Sequence, residues 1–224
     1  TPLPFAPLLP CSQTPELPSL LMPPLPRDLS PLCVYCGASS GTRPVYAAAA
    51  RDLGRLMGAR GISMVYGGGR AGMMGHVADA VLEGGGTVTG IITKHLMDKE
   101  LGHNGLHPPH ELRIVDTMHE RKKAMADIAR GFVALPGGVG TLDELFEILA
   151  WAQLSIHDHP IGLLNTDGFY DPLLALLDHM EREGFLRISP GDALVVDADP
   201  ASLLDRMAAQ GPRVPRVHGD EVRK

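Results

Sequence analysis

The sequence predicts an α/β protein: a Rossmann-like, doubly wound parallel sheet of about seven strands with helices on both faces. Three observations lead there. Short apolar runs alternate with helical patterns from residue 31 to about residue 210. Each run is about four to six residues long and apolar almost throughout, as strands buried on both faces are. Three glycine-bearing loops follow such runs and lead into helices. In doubly wound sheets that is where ligands bind, outside the carboxyl ends of the strands.

The expected strands are Leu32–Cys36, Ile62–Tyr66, Thr87–Ile91, Leu112–Val115, Gly131–Leu135, Ile161–Leu164 and Ala193–Val196. Thr42 to Pro44 opens the first helix, with proline in the first turn, and the helix runs to about Arg60 before Gly61. Further helices are expected over Met73–Glu83, Met118–Arg130, Leu142–Leu154, Tyr170–Glu183 and Pro200–Ala209. Half of the 20 prolines precede Leu32, so residues 1–30 read as a flexible, polyproline-like arm. Residues 31–210 form the folded domain and residues 211–224 a tail.

Composition excludes several classes. The 224 residues carry a net charge of −6, with no basic surplus for nucleic acid or an anionic membrane. Aromatics are 4%, too few for a base-stacking platform, and three cysteines do not make a disulfide scaffold. No apolar run approaches the roughly 20 residues that span a bilayer. The arm lacks a basic start followed by an unbroken apolar core, so a cytoplasmic protein is expected. Cys33 and Cys36 fall on one strand, three positions apart, and point to opposite faces. No histidine spacing suits a metal, and none is expected.

The three loops are Cys36-Gly37-Ala38-Ser39-Ser40-Gly41, Gly67 to Gly75, and Pro136-Gly137-Gly138-Val139-Gly140-Thr141. Glycines let the backbone approach a phosphate, and the following helix adds its positive end. No Walker-type loop occurs, and no G-x-G-x-x-G follows the first strand, which disfavours a standard NAD enzyme. The phosphate site is instead expected late, at Gly137, Gly138, Val139, Gly140 and Thr141. Thr117 and Glu120 make a capping box. The helix they open carries Met118, Arg121, Lys122 and Met125 on one face, two cations on a stripe that should be buried. Met73, Met74, Met118 and Met125 suit either an apolar base pocket or ordinary core. Glu144 aligns with Ile148 and Trp151 and is expected partly buried, in the first helical turn and ionised by the helix dipole. A carboxylate beside a phosphate loop fits a sugar's anomeric carbon, where it can support oxocarbenium character or activate water.

Met118-His119-Glu120-Arg121-Lys122, followed by Pro136-Gly137-Gly138-Val139-Gly140-Thr141-Leu142-Asp143-Glu144, resembles the paired signature of the LOG ("lonely guy") family of cytokinin riboside 5′-monophosphate phosphoribohydrolases. The resemblance extends from about Leu32 to Ala209 and includes Val65 to Gly69 and Gly162 to Asn165. It implies hydrolysis of the N-glycosidic bond of N6-modified adenosine 5′-monophosphates by a homodimer, without a cofactor. The products would be free base and ribose 5-phosphate. It implies Arg121 and Glu144 as the catalytic pair, Gly137 to Thr141 around the 5′-phosphate, and Lys122 and Glu100 beside the substrate. Lys99 departs from the arginine of many relatives, and a His-Pro-Pro-His stretch from His107 to His110 lies in the same loop. The alternative class is a non-catalytic nucleotide or molybdenum-cofactor carrier of the same fold. Lysine decarboxylase, a name sometimes attached to the family, requires a Schiff-base lysine that the sequence does not display.

Overall fold

The structure is a computed structural model and describes residues 27–97, 102 and 110–211. Glu100, Lys99, residues 107–109, Cys11 and nearly all of the arm and tail lie outside the described residues. In chain order the elements are β1 (Leu32–Tyr35), α1 (Pro44–Ala59), β2 (Met64–Tyr66), α2 (Gly72–Glu83), β3 (Val88–Thr93), α3 (Lys94–Met97), β4 (Glu111–Val115) and α4 (Met118–Ile128). They continue with β5 (Gly131–Ala134), α5 (Val139–Gln153), β6 (Ile161–Leu164), α6 (Asp171–Arg182), α7 (Pro190–Ala193), β7 (Val195–Asp197) and α8 (Pro200–Ala209). All seven strands are parallel, in the order β4-β3-β2-β1-β5-β6-β7. The order reverses between β1 and β5, and this switch point opens a crevice at the strands' carboxyl ends.

Strand alternation builds two cores. Leu32, Val34 and Cys36 of the first strand segment pack with α1, α2 and α8. Cys33 and Tyr35 face the opposite way, toward α4, α5 and α6. Cys33 and Cys36 are both free and buried, on opposite faces of the sheet. At the amino-terminal edge the Arg27 amide donates to the Ala208 carbonyl at 2.7 Å, and Leu29 is buried.

Three local expectations need correction. Helix α5 begins at Val139, not Leu142, because Gly138 in an extended conformation caps it and Gly140 continues it. Half of the third glycine loop is therefore helix, and Glu144 lies in the second turn. The last strand begins at Val195, because Pro190 starts the short helix α7, which takes in Ala193. Strand β4 is not buried on both faces: it has a single neighbour at the sheet edge, and Ile114 is 57% exposed.

Candidate active site

The first and third glycine loops meet at the switch point. The Gly37 amide donates to the Pro136 carbonyl at 3.2 Å. A Cβ on Gly37 would stand 3.3 Å from the Gly137 Cα, so these backbones touch where side chains would separate them. The Tyr170 hydroxyl donates to the Leu135 carbonyl at 2.6 Å and fixes the strand end from which the third loop departs. Two cavities open along this seam. One, of about 390 Å³, is lined by the first loop from Gly37 to Gly41, Tyr46, Met73, Pro136 to Gly138, and Phe169. The other, of about 280 Å³, holds Arg121 and Glu144 beside Gly138, Gly140 and Thr141, with Met74 and Leu96 on its apolar wall. Gly37, Ala38 and Gly138 line both.

Helix α5 aims its amino end at this junction. Its first hydrogen bond runs from the Leu142 amide to the Gly138 carbonyl. The amides of Val139, Gly140 and Thr141 precede it and have no helical acceptor. No side chain caps this end and no acid sits in the first turn. Helix α4, by contrast, is closed by the complete Thr117–Glu120 capping box. A Cβ added to Gly138 or Gly140 would meet nothing within 4 Å, so their small size leaves open space rather than relieving a clash. Thr141 is buried and Val139 projects outward, 85% exposed.

Arg121 is the most constrained polar group of the site. Its Nε donates to the Ile91 carbonyl at 3.0 Å, one terminal nitrogen donates to the Gly67 carbonyl at 3.1 Å, and the other to Glu144 Oε1 at 3.2 Å. The arginine side chain is 8% exposed and the glutamate side chain 11%. Two backbone carbonyls, one within β3 and one just past the end of β2, thus fix the guanidinium, which in turn orients the carboxylate. Gly67 makes room for this, since any Cβ there would overlap the guanidinium. Gly67→Ala is therefore expected to cost about 1–3 kcal/mol of stability. An unchanged urea midpoint would contradict that packing.

Burial pushes the Glu144 carboxyl up to about 7. Arg121 and Lys122 pull it down, while Asp143 and Glu147 push it up. Desolvation is the largest influence on this carboxyl and outweighs the pull of the Arg121 guanidinium toward the ionised form. Lys122 does not line either cavity. Its Nζ donates to Asp143 at 3.1 Å and to Glu147 at 3.3 Å, tying α4 to α5. Burial would lower its pKa, but these two carboxylates reverse the direction. Met74 and Met73 face the cavities, Met125 is core, and Met118 is 43% exposed, outside the buried stripe expected for it. Among the described residues no group of three or more His, Cys, Asp or Glu is placed to hold a metal.

A polar cluster that sequence reasoning missed lies on the rim of the larger cavity. Ser40 Oγ and His76 Nε2 are 3.0 Å apart, and an Arg51 terminal nitrogen lies 3.3 Å from His76 Nδ1. These residues come from the first loop, α2 and α1, and no spacing in the chain marks them as neighbours.

The family described as "Possible lysine decarboxylase" matches residues 74–207. The chain is 45% identical over 186 residues to the probable cytokinin riboside 5′-monophosphate phosphoribohydrolase LOGL2 of Oryza sativa subsp. japonica, covering 83% of this chain and 75% of that protein. It is 52% identical over 155 residues to the enzyme LOG of the same plant, covering 69% and 63%. It is 46% identical over 181 residues to LOG5 of Arabidopsis thaliana, covering 81% and 78%. Among solved structures, the molybdenum cofactor binding protein from Rippkaea orientalis superposes with a TM-score of 0.57 at 19% identity, covering 77% of this chain and 91% of that one. The molybdenum cofactor carrier protein from Chlamydomonas reinhardtii gives 0.53 at 19%, covering 78% and 94%. At that identity the likeness concerns the fold alone.

Proposed function

The chain belongs to the LOG family of cytokinin riboside 5′-monophosphate phosphoribohydrolases, and on that premise we propose that it hydrolyses the N-glycosidic bond of adenosine 5′-monophosphates, N6-modified ones included. The observation that carries this reading is the Arg121–Glu144 pair, held 3.2 Å apart one turn beyond an open helix end at the switch point. Amides of the Gly137 to Thr141 segment take the 5′-phosphate, with no acid nearby in the first turn to repel it. Bound there, the ribose extends toward Glu144, and the base lies against Met74 and Leu96. As the C1′–N bond breaks and its electrons leave with the purine, the Glu144 carboxylate supports positive charge at C1′ and takes a proton from the attacking water, while the purine takes up a proton from solvent. Arg121 keeps the carboxylate in position. Lys122 acts at one remove, by holding α5 against α4; Glu100, which the family resemblance implies as a substrate residue, lies outside the described residues.

The test is incubation with adenosine 5′-monophosphate and its N6-isopentenyl form, with both products identified. Free base together with ribose 5-phosphate is the expected result. Binding without turnover would instead favour the carrier reading. The carboxylate is the working form, so activity falls as the pH drops through the pKa of Glu144. The pH–rate profile is expected to rise with a midpoint near 7. A profile flat from about pH 5.5 to about 8 would contradict this role.

The decarboxylase description fits this chain poorly. Of the described lysines, Lys122 is held by Asp143 and Glu147, Lys123 pairs with Asp127 on the surface, and Lys94 is exposed. None lines either cavity, so none is placed to carry a pyridoxal Schiff base.

A homodimer accords with an apolar groove of about 350 Å³ between α5 and α6, lined by Phe146, Leu149, Leu177, Met180 and Phe185. Phe185 is 79% exposed in the single chain, which a partner surface would relieve. A sedimentation mass of one chain, 23.9 kDa, would contradict the dimer. A cytoplasmic location would keep the buried thiols of Cys33 and Cys36 reduced. Among the described residues no helix is long and apolar enough to cross a membrane.

A further inference from the structure

We propose that Ser40 is a phosphate-binding hydroxyl whose proton is aimed into the cleft by His76 and Arg51. A guanidinium only donates hydrogen bonds. The Arg51 nitrogen 3.3 Å from His76 Nδ1 therefore makes Nδ1 an acceptor. The ring proton then sits on Nε2, which faces Ser40 Oγ at 3.0 Å. Ser40 accepts that proton's hydrogen bond, and its own hydrogen remains to be donated. Among the described residues no acceptor lies within reach of it.

Ser40 lines the larger cavity together with Gly137 and Gly138. A ligand there would complement a hydroxyl restricted to donating if it carried only acceptor oxygens, as a phosphoryl group does. The cluster thereby adds a side-chain donor from the β1 side of the switch point to the amides offered from the β5 side. Ser40 binds the ligand directly, whereas His76 and Arg51 act through it as positioning residues. The inference rests on the proposed phosphoribohydrolase reading and deepens its account of the phosphate.

The experiment compares the parent with Ser40→Ala, His76→Leu, His76→Gln and the Ser40→Ala/His76→Leu double variant. Binding of ribose 5-phosphate is measured by calorimetry, and KM and kcat by base release from whichever adenosine monophosphate turns over. Ser40→Ala and His76→Leu are each expected to weaken ribose 5-phosphate and raise KM by about 10- to 100-fold, with kcat changed by less than about threefold. The double variant should be no worse than either single one, because the residues act as one chain. His76→Gln keeps an amide donor for Ser40 and an acceptor for Arg51, and should restore most of the affinity. If the parent binds ribose 5-phosphate and releases base while Ser40→Ala matches it in both, the inference is wrong and the functional reading stands. If the parent neither binds ribose 5-phosphate nor releases base, the functional reading falls and takes this inference with it.

Discussion

Glu144→Gln is expected to lower kcat for base release by about 10³-fold while leaving nucleotide binding nearly intact, the scale on which a positioned acid–base group acts. The amide matches the carboxyl in size and can still accept from Arg121. What it lacks is negative charge at the sugar and basicity toward water. The same substitution has an opposite effect on stability. The folded protein holds the Glu144 proton more tightly than the unfolded chain, whose value is about 4.5 against about 7 when folded. Folded chains therefore carry more bound protons between these values, and stability present at low pH is lost as the pH rises through 7. The loss amounts to about 3 kcal/mol. The neutral glutamine has no proton to lose, so the variant should be the more stable protein at about pH 8 and equal to the parent near pH 4. Urea midpoints at the two pH values check this, and a variant less stable under the alkaline condition would contradict the burial argument.

Arg121→Ala carries the second large effect, a destabilisation of about 3–5 kcal/mol, as expected when one member of a buried ion pair is removed. Three acceptors lose their donor at once: the carbonyls of Ile91 and Gly67 and the carboxylate of Glu144. Arg121→Lys should recover only part of this, because one ammonium cannot reproduce the fork that spans a strand, a loop and a helix. Denaturant unfolding of both variants checks the ordering. An alanine variant within about 1 kcal/mol of the parent would show that the guanidinium is not the anchor described.

The strands are legible in the sequence because parallel strands buried on both faces are written as unbroken apolar runs, and β6 falls at Ile161–Leu164 as expected. The edge strand β4 is less so, since pairing on one side cannot be read from its own residues. The start of α5 is misplaced by sequence reasoning because Gly140 reads locally as a breaker, whereas the chain there continues from the Gly138 cap into the helix. Arg121 and Glu144 are legible as chemistry out of place, two charges on stripes that belong in the interior. What joins them is not: the carbonyls of Gly67 and Ile91 come from the loop after β2 and from β3, and only the sheet order brings them to α4. Lys122 shows the same limit. Its neighbours Asp143 and Glu147 lie 21 and 25 positions away, and helix periodicity does not reveal which helix a side chain will meet. The pairing of Ser40, His76 and Arg51 is likewise a product of three elements closing together.

In the proposed reaction a bound 5′-phosphate delivers the anomeric carbon to Glu144. The most direct test of that delivery is kcat/KM for a nucleotide set against the matching riboside, on the same enzyme. A ratio of at least about 100 in favour of the nucleotide is expected, since the phosphate positions the sugar. Equal values for the two substrates would contradict the account.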